Sequence, residues 1–269
     1  VKTAVIVTTY NRPDALAAVL EGYRAQTRST FELLIADDGS TADTAALVTG
    51  FASRVPFPLR HVWQEDEGFR PGAARNRALA KTDADYVVFS DGDCIPPPLF
   101  VSRHVALAER GYFLAANRML LSEALTREVL RRRLPIHDWS ALHWLAERTR
   151  GNVNRALPLA RLPDGAFRKR APTRWEGVKT CNFSAWRSDL ARVNGFDERY
   201  SGWGLEDTDL VIRLLHAGVK HKSARFAAPV FHLWHRENDR TKLPENRRRL
   251  DALLASQRTA AEVGLDRYT

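Results

Sequence analysis

The chain has 269 residues, 44% hydrophobic and 27% charged, enough to bury one large α/β domain or two fused subdomains. No run of 18 apolar residues occurs, which argues against a membrane span, and two cysteines, Cys94 and Cys181, exclude a disulfide framework and fit a reducing cytoplasm. The net charge of +9 is uneven: 13 Lys/Arg stand against 6 Asp/Glu between Ser122 and Lys179, a balance that suits nucleic acid, an anionic membrane or a phosphorylated substrate equally well.

The first apolar stretch, Val1 to Val7, is too short for a signal peptide and reads as a buried strand. Leu33 to Ala36 and Tyr86 to Phe89 read the same way, with Pro58 to Trp63 a weaker strand between them. Leu16, Val19, Leu20 and Tyr23 recur at helical spacing behind Pro13, which suits a first helical turn. Gly72 to Ala80 makes another short helix. Alternation of this kind predicts a Rossmann-like, mostly parallel sheet flanked by helices, with ligands beyond the carboxyl ends of its strands. The polar clusters fall there: Thr8 to Asn11, Asp37 to Ser40, and Asp91 to Asp93. Ser122 to about Arg150 is helical, basic and rich in tryptophan, and Gly151 to Thr173 reads as a loop. A strand near Cys181 to Trp186 follows, then a helix from about Glu206 to Ala217 that Gly218 stops. Leu243 to Val263 reads as a final charged helix. The expected organisation is one domain overall, with a nucleotide-binding part (1–118), an acceptor-binding part carrying the basic insert (119–241) and a C-terminal helix (242–269).

Asp91-Gly92-Asp93 places two carboxylates where a buried strand ends, so they can share one hard cation that also grips a diphosphate. The triplet serves equally well as a turn. Asp37 and Asp38 can accept hydrogen bonds from a base or ribose, or simply precede a helix capped by Ser40 or Thr41. Arg75 and Asn76 begin a short helix and can meet a diphosphate, although an arginine there is more often just solvated. Gly202-Trp203-Gly204-Leu205-Glu206-Asp207 is the most informative segment. Acids at a helix start are stabilised by its dipole whatever their function, but that does not explain a tryptophan between two glycines, which suits stacking on a sugar. His232 and His235 end the last apolar run and can complete a metal site, where imidazole favours Mn²⁺ over Mg²⁺.

In this order the segments resemble the GT-A glycosyltransferases of family 2, and the second half looks like the β-1,4-galactosyltransferase and chondroitin-polymerase branch. The resemblance rests on Val7 to Arg12, Asp37 to Ser40, Gln64 to Arg70 with Ala74-Arg75-Asn76, and Asp91-Gly92-Asp93. Cys181-Asn182, Gly195-Phe196-Asp197, Gly202 to Asp207 and His235 complete it. It implies that Thr8, Tyr10 and Arg12 line the nucleotide pocket with Asp37 or Asp38 on the uridine, and that Asp66 and Arg75 face the nucleotide. Asp93, and less directly Asp91, would hold Mn²⁺ or Mg²⁺ with His235, His232 being the fallback ligand. Trp203, Gly204 and Glu206 would position the acceptor, and Asp207 would be the general base of an inverting transfer.

The implied reaction moves a hexose or N-acetylhexosamine from a UDP-sugar to a hydroxyl of a glycan or lipid-linked saccharide in bacterial surface polysaccharide synthesis. The expected location is the cytoplasm, with peripheral contact at the inner face of an anionic membrane through the basic insert. Within that insert Trp139 and Trp144 are expected to pack on the sheet, and Arg168 to Trp175 to form a mobile active-site lid. The rivals are a sugar-1-phosphate nucleotidyltransferase, which wants a Gly-rich basic loop after the first strand, and a basic nucleic-acid-binding protein, for which no motif is present. Nucleic acid is not an expected partner.

Overall fold

Strands whose side chains are buried on both faces form the centre of the molecule. The computed structural model describes residues 1–236 and 239–269. The strands of the first part are β1 (Thr3–Thr9), β2 (Glu32–Asp37), β3 (Leu59–Trp63), β4 (Tyr86–Asp91) and β5 (Cys94–Ile95), with helices α1 (Pro13–Arg24), α2 (Ala42–Ala52) and α3 (Pro71–Ala80) between them. Then follow α4 (Phe100–Leu107), β6 (Tyr112–Ala115), β7 (Arg118–Leu120), α5 (Glu123–Arg132), α6 (Ala141–Thr149) and β8 (Asn182–Trp186). The chain ends with α7 (Arg187–Arg192), α8 (Glu206–His216), β9 (Lys220–Ser223), β10 (Val230–His232) and α9 (Leu243–Leu254).

Seven strands make the main sheet in the order β3-β2-β1-β4-β8-β6-β9. Its first four members are mutually parallel; β8 runs antiparallel to β4 and β6, and β9 is parallel to β6. The expected mostly parallel α/β architecture is what the chain adopts, and the sheet draws strands from both sides of residue 118. Because strand side chains alternate faces, Val5, Val7, Leu33 and Ile35 pack on Leu16, Val19 and Leu20 of α1. Ala4, Ile6, Leu34 and Phe89 pack on Ala74 and Ala78 of α3 and on Leu210 and Leu214 of α8. A second, three-stranded sheet has the order β5-β10-β7, and its antiparallel β10–β5 register sets His232 opposite Cys94.

The basic insert is held down by its tryptophans. Trp144 is fully buried and stacks on Phe231 at 4.3 Å between ring centroids, with Trp139 against it at 5.0 Å. Ser122 and Ser140 cap α5 and α6 by accepting hydrogen bonds from Leu125 N and His143 N. Arg131, Arg132 and Arg133 remain exposed.

Two expectations need correction. Arg168 does not start a free active-site lid: its buried guanidinium donates to the carbonyl oxygens of Leu162, Pro163, Ser223 and Arg225. His221 N also donates to Pro172 O at 2.7 Å, so the segment is tied to β9. The C-terminal helix stops at Leu254, nine residues short of Val263, because Ser256 Oγ donates to Leu253 O and accepts from Arg258 N, a local alternative to helical bonding. Among the described residues no helix is long and apolar enough to cross a membrane.

Candidate active site

The carboxyl ends of β1, β2 and β4 are where the apolar runs give way to polar side chains, and three groups of functional residues gather there. After β2, Asp37 is consumed locally. Its Oδ1 accepts from Ser40 N at 2.8 Å and its Oδ2 lies 2.7 Å from His61 Nε2. Burial works against its charge, yet His61 and Ser40 hold the carboxyl below its ordinary range. Asp38 accepts from Gln64 Nε2 and from Arg70 N, each at 2.6 Å. Burial outweighs these bonds and pushes it up to about 6. Gly39, at φ 97°, lets the 64–70 loop close on this turn; a Cβ there would sit 2.5 Å from Asp66 Cα. Asp66 accepts from the exposed Tyr10 hydroxyl at 2.8 Å. Tyr10 and Asp66 thus share one exposed rim, with Asp38 buried behind it. Arg12 does not join them, because it pairs with Asp14 in the first turn of α1 at 2.9 Å.

Arg75 is the hub of the second group. Only 4% exposed, it donates from Nε to Thr8 Oγ1 (2.9 Å) and from Nη2 to Asp91 Oδ1 (3.0 Å). Its Nη1 lies 3.3 Å from Glu206 Oε1 and 3.5 Å from Asp207 Oδ1. Burial opposes its charge, but Asp91, Asp207 and Glu206 together hold it firmly protonated. Burial also raises the Asp91 carboxyl, Arg75 opposing and Asp93 and Asp207 adding to the rise. Glu206 is pushed up to about 7, first by burial and then by Asp207. Asp207 accepts hydrogen bonds from the backbone N–H of Thr180 at 3.2 Å and from the Thr180 hydroxyl. Between the two aspartates, Gly92 is needed for close approach: its N–H donates to Thr8 O at 2.7 Å, and a Cβ would lie 2.9 Å from Thr9 Oγ1.

Both acids of the Glu206-Asp207 pair open α8, behind Leu205 in a left-handed conformation at φ 78°. Asn246 of α9 fixes the preceding loop by donating to Ser201 O and Gly204 O at 3.1 and 3.0 Å. Trp203 is half-buried, and the Arg240 guanidinium sits 4.7 Å over its ring.

The third group joins β5 to β10. Asp93 Oδ1 faces His232 Nε2 at 3.9 Å, and its Oδ2 faces His235 Nε2 at 3.5 Å. Ligand atoms of Asp93, Cys94 and His232 all lie within 4.8 Å of one another. Cys94, which sequence reasoning did not consider here although it adjoins Asp93, is a buried thiol raised well above its ordinary range by burial and by Cys181, and its sulfur stands within reach of the same cation. His235 Nδ1 lies 2.7 Å from Arg236 O. A carbonyl can only accept, so Nδ1 carries a proton, and in the neutral ring Nε2 is the nitrogen left to bind a cation beside Asp93. One carboxylate between two imidazoles fits a divalent transition-metal ion.

A Rossmann-like sheet with an Asp-x-Asp at its carboxyl edge and an acid pair facing it defines a GT-A glycosyltransferase. Solved structures agree on the fold. TarS of S. aureus in complex with UDP superposes with a TM-score of 0.63 at 16% identity, covering 100% of this chain and 68% of that one. The Pyrobaculum calidifontis mannosyltransferase PcManGT, in complex with GDP-Man and Mn²⁺, gives 0.61 at 18% identity over 88% of this chain and 58% of its own. The chain belongs to glycosyltransferase family 2, whose description, Glycosyl transferase family 2, matches residues 4–162. Residues 165–236 match the N-terminal domain of galactosyltransferase. Among relatives, the hyaluronan synthase of Pasteurella multocida is 27% identical over 82% of this chain and 23% of its own length. The validoxylamine A glucosyltransferase of Streptomyces hygroscopicus subsp. jinggangensis is 30% identical over 80% and 52%. The chondroitin synthase of Escherichia coli is 26% identical over 83% and 34%. The chain therefore spans between about a quarter and a half of the length of these relatives. This family is neither that of nucleotidyltransferases nor that of nucleic-acid-binding proteins.

Proposed function

We propose that the chain transfers a hexose or N-acetylhexosamine from a UDP-sugar to a hydroxyl of a glycan or lipid-linked saccharide, with inversion and with a divalent metal, on the cytoplasmic side of the membrane. The observation that carries this reading is the Arg75 bridge, which holds Asp91 and the Glu206-Asp207 pair around one guanidinium. Tyr10 and Asp66, with Asp38 buried behind them, supply hydrogen-bonding groups for the nucleotide. TarS complexes with UDP and with UDP-GlcNAc, and the synthase relatives, support a nucleotide-sugar donor and a saccharide acceptor.

Asp207 is the general base. It takes the proton of the acceptor hydroxyl while that oxygen forms a bond to the anomeric carbon from the face opposite the diphosphate. The bond from the anomeric carbon to the diphosphate oxygen breaks, its electron pair leaves with UDP, and configuration inverts. Thr180 holds the carboxylate in place through two hydrogen bonds. Glu206 and Trp203 position the acceptor. Asp93 with His235, or with His232 in its place, would hold Mn²⁺ or Mg²⁺, which supplies charge neutralisation for the departing diphosphate.

A donor screen tests this reading. UDP release from UDP-Glc, UDP-Gal, UDP-GlcNAc, UDP-GalNAc and UDP-glucuronate is measured with Mn²⁺ and again with EDTA. One donor should dominate, and chelation should abolish its turnover. Release from none of them, or release indifferent to EDTA, overturns the proposal.

A further inference from the structure

Next to Thr180, which holds Asp207, lies a cavity of about 350 Å³ that the transfer chemistry above does not use. It sits beyond the carboxyl ends of the parallel strands β6 and β9, where Ala115 and Ser223 stand in its wall. Arg118, Arg155, Arg170, Arg174, Lys179 and Arg225 line it, and Glu176 is the one carboxylate among its lining residues. None of these six cations forms an ion pair among the described residues. Arg168 lines it too, but its guanidinium is spent on four backbone hydrogen bonds.

A second feature points to a ligand independently of the charge. His221 is only 7% exposed and stacks on Phe113 at 5.2 Å, yet neither ring nitrogen makes a well-formed hydrogen bond, the Ala171 backbone offering a weak one at most. A buried polar group without a partner is costly, and His221 stands in the wall of this cavity. Burial pushes the imidazole down to about 4, with Arg174 and Arg225 adding to the effect. It is therefore neutral and can hydrogen-bond to an anion that the arginines attract.

The cavity reaches the chemistry through its own wall. Lys179 and Cys181 flank Thr180, whose N–H and hydroxyl hold Asp207. Arg118, which opens β7, lies in the field of Asp91 and Asp93.

Resting on the transferase reading, we propose that this cavity anchors the acceptor by a phosphoryl group, so that the acceptor is a phosphate- or diphosphate-bearing saccharide. Even with Arg118 in the field of Asp91 and Asp93 and Lys179 in that of Glu206, Arg155, Arg170, Arg174 and Arg225 exceed what Glu176 can neutralise, and arginine forks match phosphate oxygens in pairs. The same chemistry serves a lipid diphosphate-linked saccharide and a soluble sugar phosphate.

The test uses the full chain, wild type and an Arg174→Ala/Arg225→Ala double variant, both positions being exposed. Inorganic pyrophosphate is titrated calorimetrically in EDTA, and UDP is titrated separately with Mn²⁺. Pyrophosphate should bind the wild type and lose about tenfold or more in affinity in the variant, while UDP affinity should stay within about twofold. Farnesyl diphosphate binding more tightly than N-acetylglucosamine 1-phosphate supports the cavity with a lipid-linked source; equal binding supports it with a soluble one. Pyrophosphate that fails to bind, or binds both proteins alike, overturns the cavity proposal and leaves the transferase reading standing. A wild type that binds pyrophosphate but not UDP counts against the donor reading instead.

Discussion

Replacing Arg75 by methionine removes the single cation shared by three buried or half-buried carboxylates. Contacts of 3.0 Å to Asp91, 3.3 Å to Glu206 and 3.5 Å to Asp207 are each worth about 5 kcal/mol before desolvation at an effective dielectric near 20. Desolvation of a group only 4% exposed offsets most of that. Breaking such a cluster by deleting one partner costs about 3–5 kcal/mol net, because uncompensated charges stay buried. The loss must also depend on pH. Glu206 stands at about 7 even with Arg75 beside it, and without the guanidinium it rises further. An acid whose folded value is raised contributes stability below its unfolded value and loses it as pH climbs through the folded one. The deficit of Arg75→Met should therefore be larger at pH 8 than at pH 5. Urea unfolding followed by circular dichroism at both values measures it, with Arg75→Lys intermediate because one ammonium cannot match three partners of a planar fork. A deficit below about 1 kcal/mol, the range of exposed pairs, or one equal at both pH values, would refute the reasoning.

Glu206→Gln should gain stability relative to wild type as pH rises from 4.5 to 8, by up to about 3 kcal/mol, the equivalent of moving a carboxyl from its ordinary range to about 7; a pH-independent difference in the same unfolding assay contradicts it. Trp144→Ala should cost about 3–5 kcal/mol, since the ring is fully buried against Phe231; a thermal shift within error of wild type would remove the insert from the core. His235→Ala should weaken Mn²⁺ binding, measured by calorimetry, more than His232→Ala does, because the carbonyl bond at Nδ1 keeps the Nε2 lone pair of His235 available. The reverse order would transfer the ligand role to His232.

Much of the fold was legible because β1, β2 and β4 are continuous apolar runs, buried on both faces, and end in polar residues, threonines in β1 and aspartates in β2 and β4. Strand β9 was not. Its Lys-His-Lys-Ser sequence has no apolar pattern to mark a strand, yet Lys222 is buried and paired with Glu109 and Asp164 at 3.2 and 2.8 Å. In the site, Asp91, Asp93, Glu206 and Asp207 announced themselves by position at element ends. The central role of Arg75 did not: an arginine at a helix start is ordinarily solvated, and its partner Glu206 lies 131 residues away. Asp14, two residues on, could have marked Arg12 as paired, but nothing local marked Trp203 as covered by Arg240. Nor does spacing reveal that β10 sets His232 opposite Cys94, since that register is a property of sheet pairing.

Asp207→Asn tests the central claim most directly, with kcat and UDP affinity measured on the same folded preparation. Removing a general base while keeping its shape should lower kcat by roughly 10²–10⁴-fold and leave UDP affinity unchanged. Full turnover in that variant would contradict the account.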